Sequence, residues 1–209
     1  MIAVAVSVLG TAELAAAMPS GHEAIAAAAS CVIRAEPDRS IARVSVIPGT
    51  VQEDALLAAL EPAFQRCSVD AGVAVRGNWV ALDGQLAEDL YRRAIARRRA
   101  TPVDQVEAGD ALPGAILSQM QDWPRDSATV ACAVALDPGA ADRLIRTGRG
   151  TDDEARAIMP IRTILPRCLP VGQQLAIFPM ALRGEVARAL YRDVSDLIDI
   201  VQGRTAASR

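Results

Sequence analysis

The sequence predicts an all-α protein, with minor short β structure at most, in which two tandem homologous helical repeats each carry an internal disulfide. Alanine makes up about a fifth of the 209 residues and aromatic residues only 3%, a composition that favours helices over a β-sandwich. Apolar side chains recur every three or four residues along several segments, which is the spacing of one helix face. The four cysteines form two equally spaced pairs, at 31 and 67 and at 132 and 168.

The first 20 residues predict a signal peptide. Ile2–Leu9 is an apolar run, and small residues follow as far as Ala17, which is the order of segments in a secretory signal. No basic residue precedes the run and Glu13 interrupts the segment, so an N-terminal helix that packs on the core is the alternative. The run is shorter than the ~20 residues that span a bilayer. We therefore expect a periplasmic or secreted protein without a stable membrane span in the mature chain, or a cytoplasmic one under the alternative.

The internal repeat is the strongest signal in the sequence. Matches at an offset of 101, and of 100 after a one-residue deletion, include rare residue types. The repeats are predicted at residues 21–99 and 127–202, joined by a linker at 100–126 and followed by a tail at 203–209. The matched residues include Cys31 with Cys132, Pro37 with Pro138, Gly49-Thr50 with Gly150-Thr151, Cys67 with Cys168, and Leu90-Tyr91-Arg92 with Leu190-Tyr191-Arg192.

Each repeat begins with two helices separated by a proline. The first helix is predicted at Glu23–Ala35 and again at Ser127–Leu136, because Pro37 and Pro138 disfavour the α conformation in the residue before them. A short second helix follows each proline and ends at a glycine-containing turn.

The third helix of each repeat opens with a Thr-x-x-Glu sequence, at Thr50–Glu53 and at Thr151–Glu154. This is the spacing of a capping box, in which the threonine hydroxyl accepts from the backbone N–H three residues later and the glutamate reaches back to the threonine N–H. The sequence therefore assigns Thr50, Glu53, Thr151 and Glu154 to helix capping. A pair of catalytic carboxylates is the weaker interpretation of the two glutamates.

Apolar residues at helical spacing continue through the third and fourth helices of each repeat, and the cysteines extend the stripe of the third. Pro62 in the first repeat, and Pro160 and Pro166 in the second, predict kinks or breaks near the ends of the third helices. Short extended pieces are predicted between the third and fourth helices. Gly84 and Gly184 lie early in the fourth helices, where glycine is unfavourable, and this predicts that another backbone passes close by.

The repeat also predicts the cysteine pairing. A duplicated unit most simply carries its own bond, which gives Cys31–Cys67 and Cys132–Cys168. Closing a loop of this length stabilises the fold by roughly 4 kcal/mol in the chain-entropy model. There is no C-x-x-C motif, and the wide spacing and the single histidine disfavour a zinc site. Four reduced thiols are the alternative for a cytosolic chain.

Composition and motifs exclude several classes of function. A net charge of −3 gives no nucleic-acid footprint, and a single histidine, His22, excludes mechanisms that need two. The sequence has no Gly-rich phosphate loop, no G-x-S-x-G and no H-E-x-x-H. We therefore predict no cofactor, no metal site and no catalytic residue. The recurring Tyr91-Arg92 and Tyr191-Arg192 are candidates for contacts between the repeats.

The pattern C…P…G-T-x-x-E…C…G…A-L-x-G-x-L-A-x-x-L-Y-R resembles that of a group of uncharacterised alanine- and arginine-rich exported proteins from high-GC proteobacteria. Their copies carry two cysteines and end in a sequence like A-L-R-G-x-L-A-E-x-L-Y-R. Here Ala181–Gly184 and Ala87–Arg92 match this ending, divided between the copies. The resemblance covers about two thirds of the chain. It implies an exported two-copy helical protein and carries over no catalytic residue.

Three hypotheses for the function follow. The first is a non-enzymatic exported helical module that binds a protein, an envelope component or a small ligand in the groove between the repeats. The second is a hydrolase-type enzyme with acidic residues such as Asp83 or Asp89 in that groove, although the second repeat has Arg183 and Ala189 at the matching positions. The third is a cytosolic helical adaptor with reduced cysteines.

Overall fold

The computed structural model describes residues 21–74, 79–98, 113–170, 172–173, 175, 177 and 179–201. These residues form nine α-helices, one turn of 3₁₀ helix and no strand, so the predicted all-α class is confirmed. No helix within these ranges has both the length and the apolar character needed to cross a bilayer. The candidate signal peptide at 1–20, residues 100–112 of the predicted linker and the tail at 203–209 lie outside the described residues.

The helices follow the same order in the two halves of the chain. The first half, residues 21–98, contains α1 (Gly21–Ala35), α2 (Pro37–Ser45), α3 (Val51–Asp70) and α4 (Trp79–Arg98). A short helix, α5 (Pro113–Ser118), precedes the second half, residues 125–201. The second half contains α6 (Arg125–Leu136), α7 (Pro138–Arg146), α8 (Asp152–Ile164) with the 3₁₀ turn Leu165–Cys168, and α9 (Pro179–Val201).

Matching residues set the helix ends in the two halves. Pro37 and Pro138 are the first residues of α2 and α7, where a missing N–H loses no partner. After α2 and α7 the chain turns through Gly49, with φ 74°, and Gly150, with φ 71°, a left-handed conformation that glycine adopts without strain. The chain therefore enters α3 and α8 through the same kind of turn.

Tertiary packing overrides one of the local predictions. α3 continues through Pro62 to Asp70 without the break that its proline predicts, because residues on both sides of the proline, Leu60 and Phe64, are fully buried in the core. In the second half, by contrast, α8 ends at Ile164 and the chain continues as the 3₁₀ turn. The predicted extended pieces at 73–76 and 174–177 lie only partly within the described residues.

Both predicted disulfides are confirmed. Cys31–Cys67 ties α1 to α3, with Cα atoms 5.7 Å apart, and Cys132–Cys168 ties α6 to the 3₁₀ turn, with Cα atoms 6.0 Å apart. No described cysteine is free. Cys132 and Cys168 are both buried, whereas Cys31 is only half-buried.

α4 and α9 form the centre of the fold. They pack against one another, α1 packs on α4, α6 packs on α9, and one apolar core extends through both halves. The two helices cross at Gly84 and Gly184, where a Cβ added to Gly184 would lie 2.7 Å from the Gly84 Cα. The predicted close approach at these glycines is therefore confirmed. Residues 81–88 of α4 are all buried, so the carboxylates of Asp83 and Glu88 lie inside the protein.

Candidate functional site

A cleft of about 320 Å³ lies beside the crossing of α4 and α9. Five charged side chains line it, among them Glu185 of α9. The other four come from both halves, and we call them the cleft cluster: Arg43 of α2, Glu53 of α3, Asp83 of α4 and Arg188 of α9. The remaining lining is mainly apolar. It includes Pro48, Leu57, Trp79, Val80, Pro124 and Ala181.

The cleft cluster is a closed ring of ion pairs. Glu53 Oε1 accepts from Arg43 Nη1 at 2.7 Å and from Arg188 Nη1 at 2.9 Å. Asp83 Oδ2 accepts from Arg43 Nη2 at 2.8 Å and also from Arg188 Nη2. Each arginine therefore bridges both carboxylates, an arrangement to which the planar guanidinium is suited. Because its members come from four helices, the ring joins the two halves.

The ring keeps Glu53 ionised. Burial raises the pKa of Glu53, but the Gly49 N–H, 2.6 Å from its Oε2, and the Arg43 and Arg188 guanidiniums together outweigh burial, so the pKa lies below its usual value. Burial lowers the pKa of Arg188, yet the nearby carboxylates, Asp83 first, raise it above its usual value. A carboxylate held in this state accepts hydrogen bonds and is a poor proton donor near neutral pH.

A second group of charges, which we call the inner cluster, also lies along the crossing and consists of Glu88, Arg149, Glu154 and Arg183. Arg183 is fully buried, and its Nε and Nη2 donate to the two oxygens of Glu88 at 2.9 Å each. Its Nη1 donates to Glu154 Oε1 at 3.0 Å. Arg149 Nη2 donates to Glu88 Oε2 at 2.8 Å.

The inner cluster also keeps its glutamate ionised. Burial raises the pKa of Glu88, but the hydrogen bonds from Arg183 and the charge of Arg149 outweigh burial and hold the pKa below its usual value. The guanidinium of Arg183 makes further bonds to backbone, through Nη2 to the carbonyls of Ile145 and Thr147 at 3.1 and 2.8 Å. Its donors are thereby used on partners that surround it, as a fully buried cation requires.

The two clusters are related by reciprocal pairing across the crossing. Asp83 of α4 pairs with Arg188 of α9, and Glu88 of α4 pairs with Arg183 of α9. Positions 83 and 88 of α4 match positions 183 and 188 of α9, at an offset of 100. Position 83 pairs with 188, and position 88 pairs with 183. This is the contact pattern of a twofold interface. α4 supplies both acids and α9 supplies both arginines.

The arginines predicted at the interface between the repeats reach the opposite half of the chain. Arg92 Nη2 donates to the carbonyl of Ile145 at 2.6 Å and to that of Thr147 at 3.3 Å. Arg192 Nη2 donates to the carbonyl of Val46 at 2.6 Å. Val46 and Thr147 are the C-caps of α2 and α7, and a cation at a helix C-terminus is favourable.

The tyrosines next to these arginines are buried. Tyr91 Oη donates to Asp142 Oδ1 of α7 at 2.7 Å, and Tyr191 is 8% exposed. The Arg192 guanidinium lies 4.7 Å from the centre of the Trp123 ring, within range of a cation–π interaction. Burial, and then the charge of Arg188, lower the pKa of Arg192 to about 10.

The capping threonines occupy the positions that the sequence assigns to them. Thr50 and Thr151 are the N-caps of α3 and α8, and their hydroxyls accept from the N–H groups of Glu53 and Glu154 at 3.2 Å. One detail of the prediction is wrong. Each glutamate accepts from the glycine N–H that precedes the threonine, at 2.6 Å, rather than from the threonine N–H. The other oxygen of each glutamate joins one of the two clusters.

The two aspartates of the hydrolase hypothesis lie in different surroundings. Asp83 lines the cleft and accepts from two arginines. Asp89 is not among the cleft residues; it accepts from Ser30 Oγ at 2.6 Å and from Gln85 Nε2 at 2.8 Å. The structure therefore does not bring these two carboxylates together around one cleft. Among the described residues, no group of His, Cys, Asp and Glu is arranged to hold a metal ion.

The pairing role of five residues was not predicted from the sequence: Arg43, Glu88, Arg149, Arg183 and Arg188. One signal for it was present. At an offset of 100 along the sequence, Asp83 aligns with Arg183 and Glu88 aligns with Arg188. Both positions lie close to the glycine that predicts a close backbone approach. Opposite charges at matched positions near a helix crossing are what reciprocal pairing needs. Comparisons of the chain with protein-family models, curated proteins and solved structures give no significant match.

Proposed function

We propose that the chain is an exported, non-enzymatic helical binding module, periplasmic or secreted, that holds its ligand in the cleft between α4 and α9. The observation that carries this proposal is the cleft itself, which combines an apolar lining with a closed ring of buried ion pairs. Mostly apolar concave sites with a few fixed polar groups are the usual form of small-ligand sites.

The state of the charged groups favours binding over hydrolysis. A general acid needs a raised pKa, whereas the pKa of Glu53 is lowered. Asp83 accepts from two guanidiniums through one oxygen. The ring therefore provides a fixed surface rather than a proton donor.

The two disulfides support the exported location. Disulfides persist in oxidising compartments and are rare in the cytosol, and both pairs here are bonded within one half. We also propose that the halves arose by tandem duplication of one helical unit, as in the exported group that the sequence resembles. The matching turns, caps and reciprocal ion pairs support this origin.

Filling the cleft tests the binding proposal. Leu57→Trp places a large side chain at the cleft, while Val69→Trp places the same side chain on an exposed site of the same helix, outside the cleft. We expect small apolar probes, screened by NMR on the full chain, to perturb cleft residues in the parent and in Val69→Trp but not in Leu57→Trp. Binding that persists in Leu57→Trp, or an absence of probes that perturb the cleft, contradicts the proposal.

Thiol trapping tests the location. The full chain is expressed with its own N-terminal segment in a Gram-negative host, the cells are fractionated, and free thiols are alkylated under denaturing conditions before and after reduction. We expect the chain in the periplasm or medium, with four thiols that label only after reduction. Cytosolic protein with four freely labelled thiols supports the adaptor hypothesis and contradicts export.

A further inference from the structure

A second concave surface, a groove of about 420 Å³, lies in the second half of the chain. Its walls come from α8, the 3₁₀ turn, the residues after this turn and α9. The lining is apolar apart from Arg162 and Gln173. Of the apolar residues, Leu165 and Leu182 are buried and Leu175 is half-buried. The groove shares no lining residue with the cleft.

The side chains at matching positions of the first half are larger. Phe64 and Trp79 pack edge to face there, with ring centres 4.6 Å apart, and Phe64 is fully buried. The second half has Leu165 and Pro179 at these positions, and Leu165 lines the groove. The second half therefore lacks the aromatic pair that fills the core beside α3 and α4.

The backbone beside the groove also differs from that of the first half. α3 continues as one helix to Asp70, whereas α8 ends at Ile164 and the 3₁₀ turn follows. This turn and the residue after it supply three apolar residues of the lining, Leu165, Pro166 and Leu169. The groove is therefore a feature of the second half alone, set by its own residues.

Arg162 is the one charged residue in the described lining of the groove. Its side chain is exposed, and no carboxylate of the described residues pairs with it. The first half has Glu61 at the matching position, with Gln65 donating to it at 3.1 Å. The residues three and four positions from Arg162, which are its neighbours on a helix face, are all apolar: Ile158, Met159, Leu165 and Pro166. The groove thus carries one unpaired positive charge in apolar surroundings.

We infer that this groove binds an aliphatic monocarboxylate, with the carboxylate on Arg162 and the hydrocarbon chain along the apolar lining. Charge complementarity selects this occupant, because a guanidinium matches a carboxylate in shape and charge and is only weakly hydrated. Gln173, the other polar residue of the lining, carries further N–H donors. The volume of about 420 Å³ lies within the range of small-ligand pockets. The site is separate from the cleft and does not depend on what the cleft binds.

Probes that share an aliphatic chain and differ in charge test the ligand class. Octanoate, octanol and octylamine are titrated into the full chain below their micelle-forming concentrations and followed by NMR. We expect octanoate to perturb the signals of Leu165 and Leu175 with an affinity about fivefold above that of octanol, because an exposed ion pair adds a modest free energy. Octylamine should bind most weakly. Octylamine that binds the groove as tightly as octanoate overturns the inference.

Two arginine variants of α8 supply the matched control. Arg162→Gln removes the guanidinium of the groove, and Arg156→Gln removes an exposed guanidinium of the same helix outside the groove. We expect Arg162→Gln to weaken octanoate binding about fivefold and to change octanol binding less than about twofold. Arg156→Gln should change the binding of either probe less than about twofold. Octanoate binding that Arg162→Gln leaves unchanged contradicts the assigned role of Arg162.

Filling the groove tests its position. Leu165→Phe installs the residue of the first half, and Leu175→Trp adds a large side chain outside the helices, so it decides the matter if Leu165→Phe does not fold. We expect each to weaken octanoate and octanol binding about tenfold, while Leu57→Trp, which fills the cleft, leaves octanoate binding intact. Octanoate binding that survives Leu175→Trp overturns the inference.

Two further outcomes identify other occupants of the groove. A dimer that forms with rising protein concentration, is lost in Leu175→Trp and is unaffected by octanoate would show that a second copy of the chain covers the groove. Groove signals that no probe perturbs would show that the groove takes no aliphatic ligand. Either result overturns the inference and leaves the proposal for the cleft, which has its own probes and variants, standing.

Discussion

The two charged clusters at the α4–α9 crossing share three kinds of residue and differ in the source of their second arginine. Each contains a capping glutamate, an acid of α4 and an arginine of α9. The inner cluster adds Arg149 from its turn, whereas the cleft cluster adds Arg43 from α2 and has Pro48 in the turn.

This difference shows how matching helices can enclose one charged cluster and leave a cleft beside the other. An arginine from the turn occupies the inner cluster. In the cleft cluster the second arginine comes from a different helix, α2, and the side chain at the turn is short, so a cleft remains. The same backbone plan therefore supports a packed ion-pair core at one place and an accessible cleft at the other.

The largest expected effect is the loss of Arg183. Arg183→Met leaves Glu88 deeply buried without its bidentate partner, and breaking a buried pair destabilises a fold by about 3–5 kcal/mol. We expect urea unfolding to give a smaller loss for Arg188→Met, because Arg188 bonds only to carboxylates while Arg183 also bonds to three backbone and hydroxyl oxygens. Equal losses of unfolding free energy in the two variants would mean that the two clusters are enclosed by the protein to the same extent.

Removal of either disulfide should have the next largest effect. Both bonds join cysteines 36 residues apart, so the chain-entropy model gives about 4 kcal/mol for each. Their accessibility differs, since Cys31 is half-buried and Cys132 is buried. We expect mass spectrometry during limited reduction to find Cys31–Cys67 opened first. Reduction in the opposite order would contradict the burial of the second bond.

Alanine at the crossing glycines should destabilise by about 1–3 kcal/mol through overpacking. A Cβ at Gly184 meets the Gly84 Cα at 2.7 Å, and one at Gly84 meets the Gly184 Cα at 3.0 Å, so both backbones must separate. Gly114 of α5 has open space around it, and Gly114→Ala should leave stability unchanged or raise it. Thermal unfolding of the three variants measures these changes in stability. A Gly184→Ala variant as stable as the parent would contradict the close crossing.

Acid should weaken the ion pairs of both clusters. Near neutral pH, this effect on the free energy of unfolding is the smallest of the effects predicted here. The pKa values of Glu53 and Glu88 are lower in the folded state. Their contribution to stability is therefore complete above the unfolded pKa of about 4.3 and is lost as the pH falls through the folded pKa. We expect the pH dependence of unfolding free energy below about pH 4.3 to become shallower in Glu53→Gln and in Glu88→Gln. An unchanged slope in both would mean that neither pKa is lowered.

The sequence predicted the features whose physical basis is local or recurs at the matching position of the other half. The capping role of Thr50 and Thr151 follows from the chemistry of helix N-termini. The two disulfide pairings follow from the equal spacing of the cysteines, and the close helix approach follows from Gly84 and Gly184. The charged clusters were missed because a charged residue on an alanine-rich helix is normally solvated. Only the fold shows that α4 is buried on every side over residues 81–88.

The cleft could not be predicted for a related reason. Arg43 and Asp83 are 40 residues apart, and Arg188 lies a further 105 residues along the chain from Asp83. Nothing in the local sequence of any one of them indicates the others. Pro48 predicts only the end of α2, and its effect on the cleft becomes visible through comparison with Arg149 in the matching turn.

The central claim is that α4 and α9 join the two halves through reciprocal acid–arginine pairs. A double-mutant cycle on Glu88 and Arg183, measured by urea unfolding of the full chain, tests it most directly, with Asp83 and Arg183 as a control pair for which no ion pair is found. We predict a favourable coupling of about 2 kcal/mol or more for Glu88 with Arg183 and a coupling below about 0.5 kcal/mol for Asp83 with Arg183. Equal couplings in the two cycles, or none for Glu88 with Arg183, would contradict the reciprocal pairing.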